Sequence, residues 1–239
     1  MENTGRITRS LTLSAQRIVF GITAEQSVMD ELPFITQVDQ AHLVMLAEQQ
    51  IVSAKQVAVL LAAIGELRLQ QFAPLRGRSA LRGVYLLYED YLREKLGPEV
   101  GGILQTARSR NDLNATVLRL RLRVPYITLV SEALRLQAIL QQRARQYRDV
   151  VMPAYTHYQP AVPITYGHYL AGVAVSLERE LDALLDIAFD LQSCPLGAGA
   201  VGGTSLPIQP TRTAELLGFD RPVLHSIKEI CCIMYVQMR

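Results

Sequence analysis

Two short segments bring together residue types able to recognise an anion and to move a proton. Thr106-Ala-Arg-Ser-Arg-Asn-Asp112 places two guanidinium forks, two hydroxyls and a carboxamide within seven residues, just ahead of a long helical pattern. Guanidinium groups and the free N–H groups of a helix start both suit a carboxylate. The same seven residues also describe a polar helix cap with solvated arginines, which is the more ordinary reading of such a composition. The second segment is Thr156-His157, inside a proline-rich stretch. Histidine is the side chain best suited to exchange protons near neutral pH, and a stiff connection would aim it. A lone histidine more often bonds a backbone carbonyl, and His42, His168 and His225 are read in that structural way, two of them inside helical patterns and one near the chain end.

A third segment imitates a cofactor site. Gly197-Ala-Gly-Ala-Val-Gly202 has the GxGxxG form, and Asp220 follows at about the distance of a ribose-binding acid. A strand should precede such a loop and a helix should follow it. Here a helical pattern and Pro195 precede it, and Pro207 and Pro210 follow. The stretch is therefore read as a bend of small residues that permits close backbone packing, and no cofactor is expected. Cys194, Cys231 and Cys232 form no CxxC pair and are odd in number, so neither a metal site nor a disulfide framework is expected.

The bulk composition fits a folded chain with a sizeable core. Of 239 residues 49% are hydrophobic and 19% charged, which excludes a disordered chain, and a net charge of +2 gives no reason to expect nucleic acid as a partner. No run approaches the roughly 18 apolar residues of a membrane span, and no signal-peptide core follows Arg6 and Arg9. The expectation is a cytoplasmic protein with no membrane partner.

Helical periodicity governs the elements that must position these segments. Ser53 and Gln56 have capping-box spacing, and Val57, Leu60, Leu61, Ile64 and Leu67 then recur on one face. A second helix is predicted from Ala80 to Leu96, ended by Gly97-Pro98. A third is predicted over 112–149, with a kink or short break at Pro125. Leu170, Val173, Ala174, Leu177, Leu181, Leu184, Leu185 and Ala188 form the clearest apolar stripe. Two segments interrupt the pattern: Met152–Pro163, whose three prolines predict an extended connection, and the glycine- and proline-rich Cys194–Pro210. No stretch alternates for long enough to predict a strand, so the fold class is all-α.

These segments, in this order, resemble the argininosuccinate lyase family of the fumarase and aspartase superfamily. The family motif His-Thr-Gly-Arg-Ser-Arg-Asn-Asp is matched by Gln105–Asp112, and Met-Pro-Gly-Tyr-Thr-His-Leu-Gln by Met152–Gln159. Leu-Pro-Leu-Gly-Ser-Gly-Ala-x-x-Gly-Thr is matched by Ser193–Thr204, with weaker similarity at Val38–Leu46 and Ala214–Phe219. Arg108-Ser-Arg-Asn-Asp112 favours this family over fumarases, aspartases and adenylosuccinate lyases, which write other residues there.

The resemblance implies an all-helical fold, with an N-terminal helical domain at 1–106 and part of a central long-helix bundle at 107–239. It implies a C–N lyase that eliminates fumarate from argininosuccinate, in arginine biosynthesis, or from a related N-substituted aspartate, without metal or cofactor. Carried over residue by residue, His157 handles the proton, while Arg108, Ser109, Asn111, Thr156 and Ser27 bind substrate. Family members form homotetramers whose sites draw on three subunits. The chain departs from the pattern at Gln105 (His in the family), at Ala107 (Gly) and at Arg82-Gly-Val-Tyr85 (Glu-Asp-x-His). No counterpart of the family's Gly-Ser-Ser-x-Met-Pro-x-Lys-x-Asn loop, which supplies the catalytic serine, is written in these residues. The chain thus reads as the N-terminal half of a family member, as a frameshifted or early-ended reading frame would leave it. The alternatives are an inactive fragment and a non-catalytic partner subunit, with the apolar stripe short of its packing partners.

Overall fold

The computed structural model describes residue 12, residues 25–78 and residues 83–230, with the side chains of 25–28 excepted. It is built from helices α1 (Glu25–Glu48), α2 (Ala54–Leu69), α3 (Val84–Leu96) and α4 (Arg110–Gln146), strands β1 (Val151–Thr156) and β2 (Gln159–Thr165), and helices α5 (Tyr166–Leu191) and α6 (Pro210–Leu216). Short helical turns at Pro98–Gly101 and Gly102–Gln105 join α3 to α4. The fold is all-α, with one small β-hairpin among the described residues.

The chain forms two compact units, residues 1–118 with 194–239, and residues 119–193. The division falls within α4. In the first unit α1 packs against α2, α3 and α6. Leu32, Val38, Leu43 and Leu46 of α1 are buried, as are Leu60 and Ile64 of α2, Tyr88 and Leu92 of α3 and Leu113 of α4. The predicted start of α2 is in place: Ser53 adopts an extended backbone and its Oγ accepts from the Gln56 amide at 3.3 Å. Gln56 reaches back to the Ser53 hydroxyl, not to its N–H. Four of the five predicted stripe residues, Val57, Leu60, Ile64 and Leu67, are buried. Gly97 follows α3 at φ 83°, where a side chain would be strained. The predicted start of that helix, Ala80 to Arg82, lies outside the described residues.

Two readings are refined in the second unit. Of the kink or short break expected at Pro125, the break is absent, since helix α4 runs through that residue; the missing proline donor removes one bond from a helix long enough to continue on both sides. The connection at 152–163 is extended as predicted, but it pairs with itself. Strands β1 and β2 are antiparallel, with Val151 opposite Thr165 and Thr156 opposite Gln159, and the register shifts between Pro153 and Tyr155. Three prolines obscured the alternation, yet a two-stranded ribbon tolerates them because each strand has an open edge that needs no donor. Pro153 faces Pro163 across the pair.

At the base of this hairpin α5 returns beside α4. The Gly167 amide donates to the Tyr147 carbonyl at 2.9 Å. A Cβ on Gly167 would lie 2.4 Å from the Ala144 carbonyl oxygen, so only glycine permits this approach. The Tyr126 hydroxyl donates to the Leu184 carbonyl at 2.7 Å. Of the predicted α5 stripe Ala174 and Leu181 are buried while Val173 and Leu185 are exposed, and Val124, Ile127 and Leu134 of α4 are exposed as well. Among the described residues no helix is long and apolar enough to cross a membrane.

Candidate functional site

The approach to α4 is built on buried polar groups. The side chain of Arg108 is 1% exposed and its Nη2 lies 2.5 Å from Asp39 Oδ1 of α1. The same nitrogen donates to the Tyr85 hydroxyl of α3 at 2.8 Å. Gln105 Nε2 donates to that hydroxyl at 2.9 Å and to Glu89 Oε2 at 3.1 Å. Gln105 and Tyr85, two positions where the motifs depart from the family pattern, are therefore direct partners. Burial pushes the Asp39 carboxyl up, against the pull of the Arg108 guanidinium. Burial also works against the charge on Arg108, but Asp39 and Tyr85 outweigh it and hold the guanidinium protonated. Tyr85 is pushed up by burial and stays neutral.

His42 completes this layer from α1. Its Nε2 donates to the Thr106 carbonyl at 2.8 Å, the structural role read for it from the sequence. Burial, and then the nearby Arg108 charge, lower its pKa to about 3, so the ring is neutral and the Nε2–H tautomer fits the bond. Thr106 is followed by Ala107 at φ 60°, a left-handed conformation that explains why glycine suits this position.

Arg108 thus directs its charge at Asp39 inside the fold. On the outside the first turn of α4 presents exposed Arg110 and Asn111 beside partly exposed Ser109. Ser109 caps the helix: its Oγ accepts from the Asn111 amide at 3.2 Å. The Asp112 carboxyl, buried and pushed up by that burial, accepts four backbone bonds, of which those from Gly199, Ser109 and Gly197 pull the other way. Ser109 N and Leu113 N reach Oδ1 at 3.0 and 2.9 Å, and Gly197 N and Gly199 N reach Oδ2 at 3.2 and 2.9 Å.

The glycine-rich segment is the predicted close-packed bend. A Cβ on Gly199, at φ 61°, would meet the Gly203 carbonyl oxygen at 2.5 Å. One expectation about it is corrected: Pro210 does open a helix, sitting at the first position of α6, where its missing donor is not needed.

Thr156 and His157 lie at the tip of the β1–β2 hairpin in the second unit, and both are exposed. The two turn residues, His157 and Tyr158, have φ 49° and 63°. Two consecutive left-handed residues define the turn that Asn-Gly ordinarily fills. Tyr158 is 97% exposed, so neither its packing nor its type explains the conformation. Ser27 lies within the backbone of α1, but its side chain is outside the described residues. Among the described residues no group of three or more His, Cys, Asp or Glu side chains is placed to hold a metal ion.

Sequence reasoning passed over Asp39, Tyr85 and Glu89 as structural partners, and Asp112 as a clasp. Half of the last was readable, since Ser109 and Asp112 have capping-box spacing with the acid three residues into the helix. Nothing in the spacing pointed to Gly197 and Gly199.

Comparison with known proteins adds the following. A family model described as Lyase matches residues 24–229. The argininosuccinate lyase of Natronomonas pharaonis is 39% identical over 190 residues, covering 80% of this chain and 38% of that protein. The argininosuccinate lyase of Hyphomonas neptunium is 42% identical over 195 residues, covering 80% and 41%. The chain therefore spans less than half the length of these curated relatives. A solved EDDS lyase variant with bound fumarate superposes with a TM-score of 0.72 at 30% identity, over 93% of this chain and 44% of that one.

Proposed function

Because the chain belongs to the Lyase family, we propose that it is part of an argininosuccinate lyase-like enzyme that breaks a C–N bond and releases fumarate. The observation that carries this reading is the first turn of α4, where Ser109, Arg110 and Asn111 stand at a helix start behind a buried, neutralised Arg108–Asp39 pair. Such a turn suits a substrate carboxylate, with the Ser109 hydroxyl, the Asn111 carboxamide and the exposed Arg110 guanidinium as donors. Arg110 takes the charged role that the resemblance gave to Arg108, which instead holds the turn in place. Thr156 donates to a carboxylate, and Ser27 is a further substrate contact.

Elimination removes a proton from the carbon beside a carboxylate, places charge on that carboxylate and then expels the nitrogen. It needs anion-stabilising donors, a base and an acid. His157 is the proton-handling group of this chain. The serine loop is supplied from outside these 239 residues, and no metal or cofactor takes part. The exposed apolar side chains of α4 and α5 favour assembly with further copies, as a homotetramer in which sites are completed between subunits. The substrate is argininosuccinate, placing the enzyme in cytoplasmic arginine biosynthesis. A related N-substituted aspartate is the second reading, favoured by the likeness to EDDS lyase. An inactive fragment or a non-catalytic subunit is the alternative to both.

Fumarate release from argininosuccinate, followed by ultraviolet absorbance, tests the proposal. The 239-residue chain alone should show little or no turnover, and a companion chain carrying the serine loop should restore it. No turnover in any such mixture, with either substrate class, would leave the non-catalytic alternatives standing.

A further inference from the structure

We propose that Asp112 is the positioning residue of the carboxylate-binding turn: it clasps the Gly197–Gly203 bend to the start of α4 and so fixes Ser109 and Asn111 for the ligand. This inference rests on the lyase reading above. The clasp is two-sided. Asp112 Oδ1 takes the Ser109 and Leu113 amides of its own helix start, and Oδ2 takes the Gly197 and Gly199 amides from 85 and 87 residues away. A second, longer link runs alongside, from Asn111 Nδ2 to the Ala200 carbonyl at 3.4 Å.

The bend itself is closed and cannot easily yield. The Gly203 amide donates to the Ala198 carbonyl at 2.8 Å, and the Ser226 hydroxyl donates to the Val201 carbonyl. Gly199 leaves no room for a side chain. A rigid bend pinned through a buried carboxylate limits where the exposed Asn111 amide and the Ser109 hydroxyl can point. Preorganised donors of this kind bind a carboxylate without first having to be ordered. Asp112 touches no ligand and acts through the residues it holds.

Asp112→Asn is the sharpest change. A carboxamide has one acceptor oxygen, so its NH2 must face either the Gly197 and Gly199 amides or the Ser109 and Leu113 amides, donor against donor. Should that variant fail to fold, Gly199→Ala breaks the clasp from the bend side with Asp112 intact. Gly202→Ala is the control, since a Cβ there meets nothing within 4 Å.

The experiment is amide hydrogen exchange of the full chain, in the assembly it forms with the companion chain that carries the serine loop, together with fumarate titration of the same samples. Asp112→Asn or Gly199→Ala should speed exchange across residues 197–199 by roughly tenfold or more and weaken fumarate binding by a similar factor, while Gly202→Ala changes neither. Wild-type protection at 197–199 in a folded Asp112→Asn chain would overturn the clasp. Loosened exchange with unchanged fumarate affinity would reduce Asp112 to a purely structural group and overturn the positioning role. A wild-type assembly completed by the companion chain that binds no fumarate would remove the lyase reading first, and the positioning role with it.

Discussion

Residues 105–112 and residues 156–159 both match signature motifs, and the fold treats them in opposite ways. The first segment is embedded: Arg108, Asp112 and the Thr106 carbonyl all find partners on α1, α3 or the glycine bend. The second stands at a hairpin tip with exposed side chains and two left-handed residues in succession. One region is held by buried polar contacts that reach across the fold; the other holds an unfavourable backbone with little packing to justify it. The strained, exposed tip is where our proposal places chemistry, and the buried network is where it places support.

Substitution should separate the two most sharply at Arg108. Arg108→Ala leaves Asp39 buried without its cation and should destabilise the fold by about 3–5 kcal/mol, read as a lower urea midpoint. Replacing both partners with apolar residues, Arg108→Met with Asp39→Leu, should recover most of that loss. Equal loss in the single and double variants would mean the network contributes nothing as a pair.

Next in size is an acid sensitivity confined to the embedded region. His42 has a folded pKa of about 3 against an ordinary value of 6.5, so below pH 6.5 the unfolded chain binds the proton that the folded chain refuses. Stability is therefore full above pH 6.5 and falls as pH drops toward 3. Between pH 7 and 4 this one group should remove about 3 kcal/mol. Denaturation midpoints across that range should flatten in His42→Gln, and an unchanged slope would assign the acid sensitivity elsewhere.

The hairpin should respond in the other direction. Replacing Tyr158 by glycine relieves a left-handed bulky residue and should stabilise the second unit by about 1 kcal/mol. A destabilised Tyr158→Gly would show that the tip is held by interactions and is not strained. Ala107→Gly relieves the same kind of conformation in the first segment. It should gain less, roughly 0.5 kcal/mol, because alanine is less crowded than tyrosine in that conformation while glycine loosens the unfolded chain in both variants.

The legibility of these two regions in the sequence differed for physical reasons. Helix periodicity and caps are local, so Ser53, the α2 stripe and the Gly97 stop could be read directly. The hairpin was hidden because prolines suppress strand propensity, and pairing depends on a partner strand that no window of residues displays. Arg108 drew attention as a cation within a motif, but its destination, Asp39, lies 69 positions upstream on the inner face of α1. Asp112 showed its capping half through local spacing, and concealed the half that reaches the glycine bend. Contacts that close locally are written in the sequence; those that close across the fold are not.

The contrast between support and chemistry is tested most directly at His157. In an assembly that releases fumarate from argininosuccinate, His157→Ala should keep the wild-type denaturation midpoint and lose turnover by about a thousandfold or more. Turnover near the wild-type rate in that folded variant would contradict the account and place the proton-handling group on another residue.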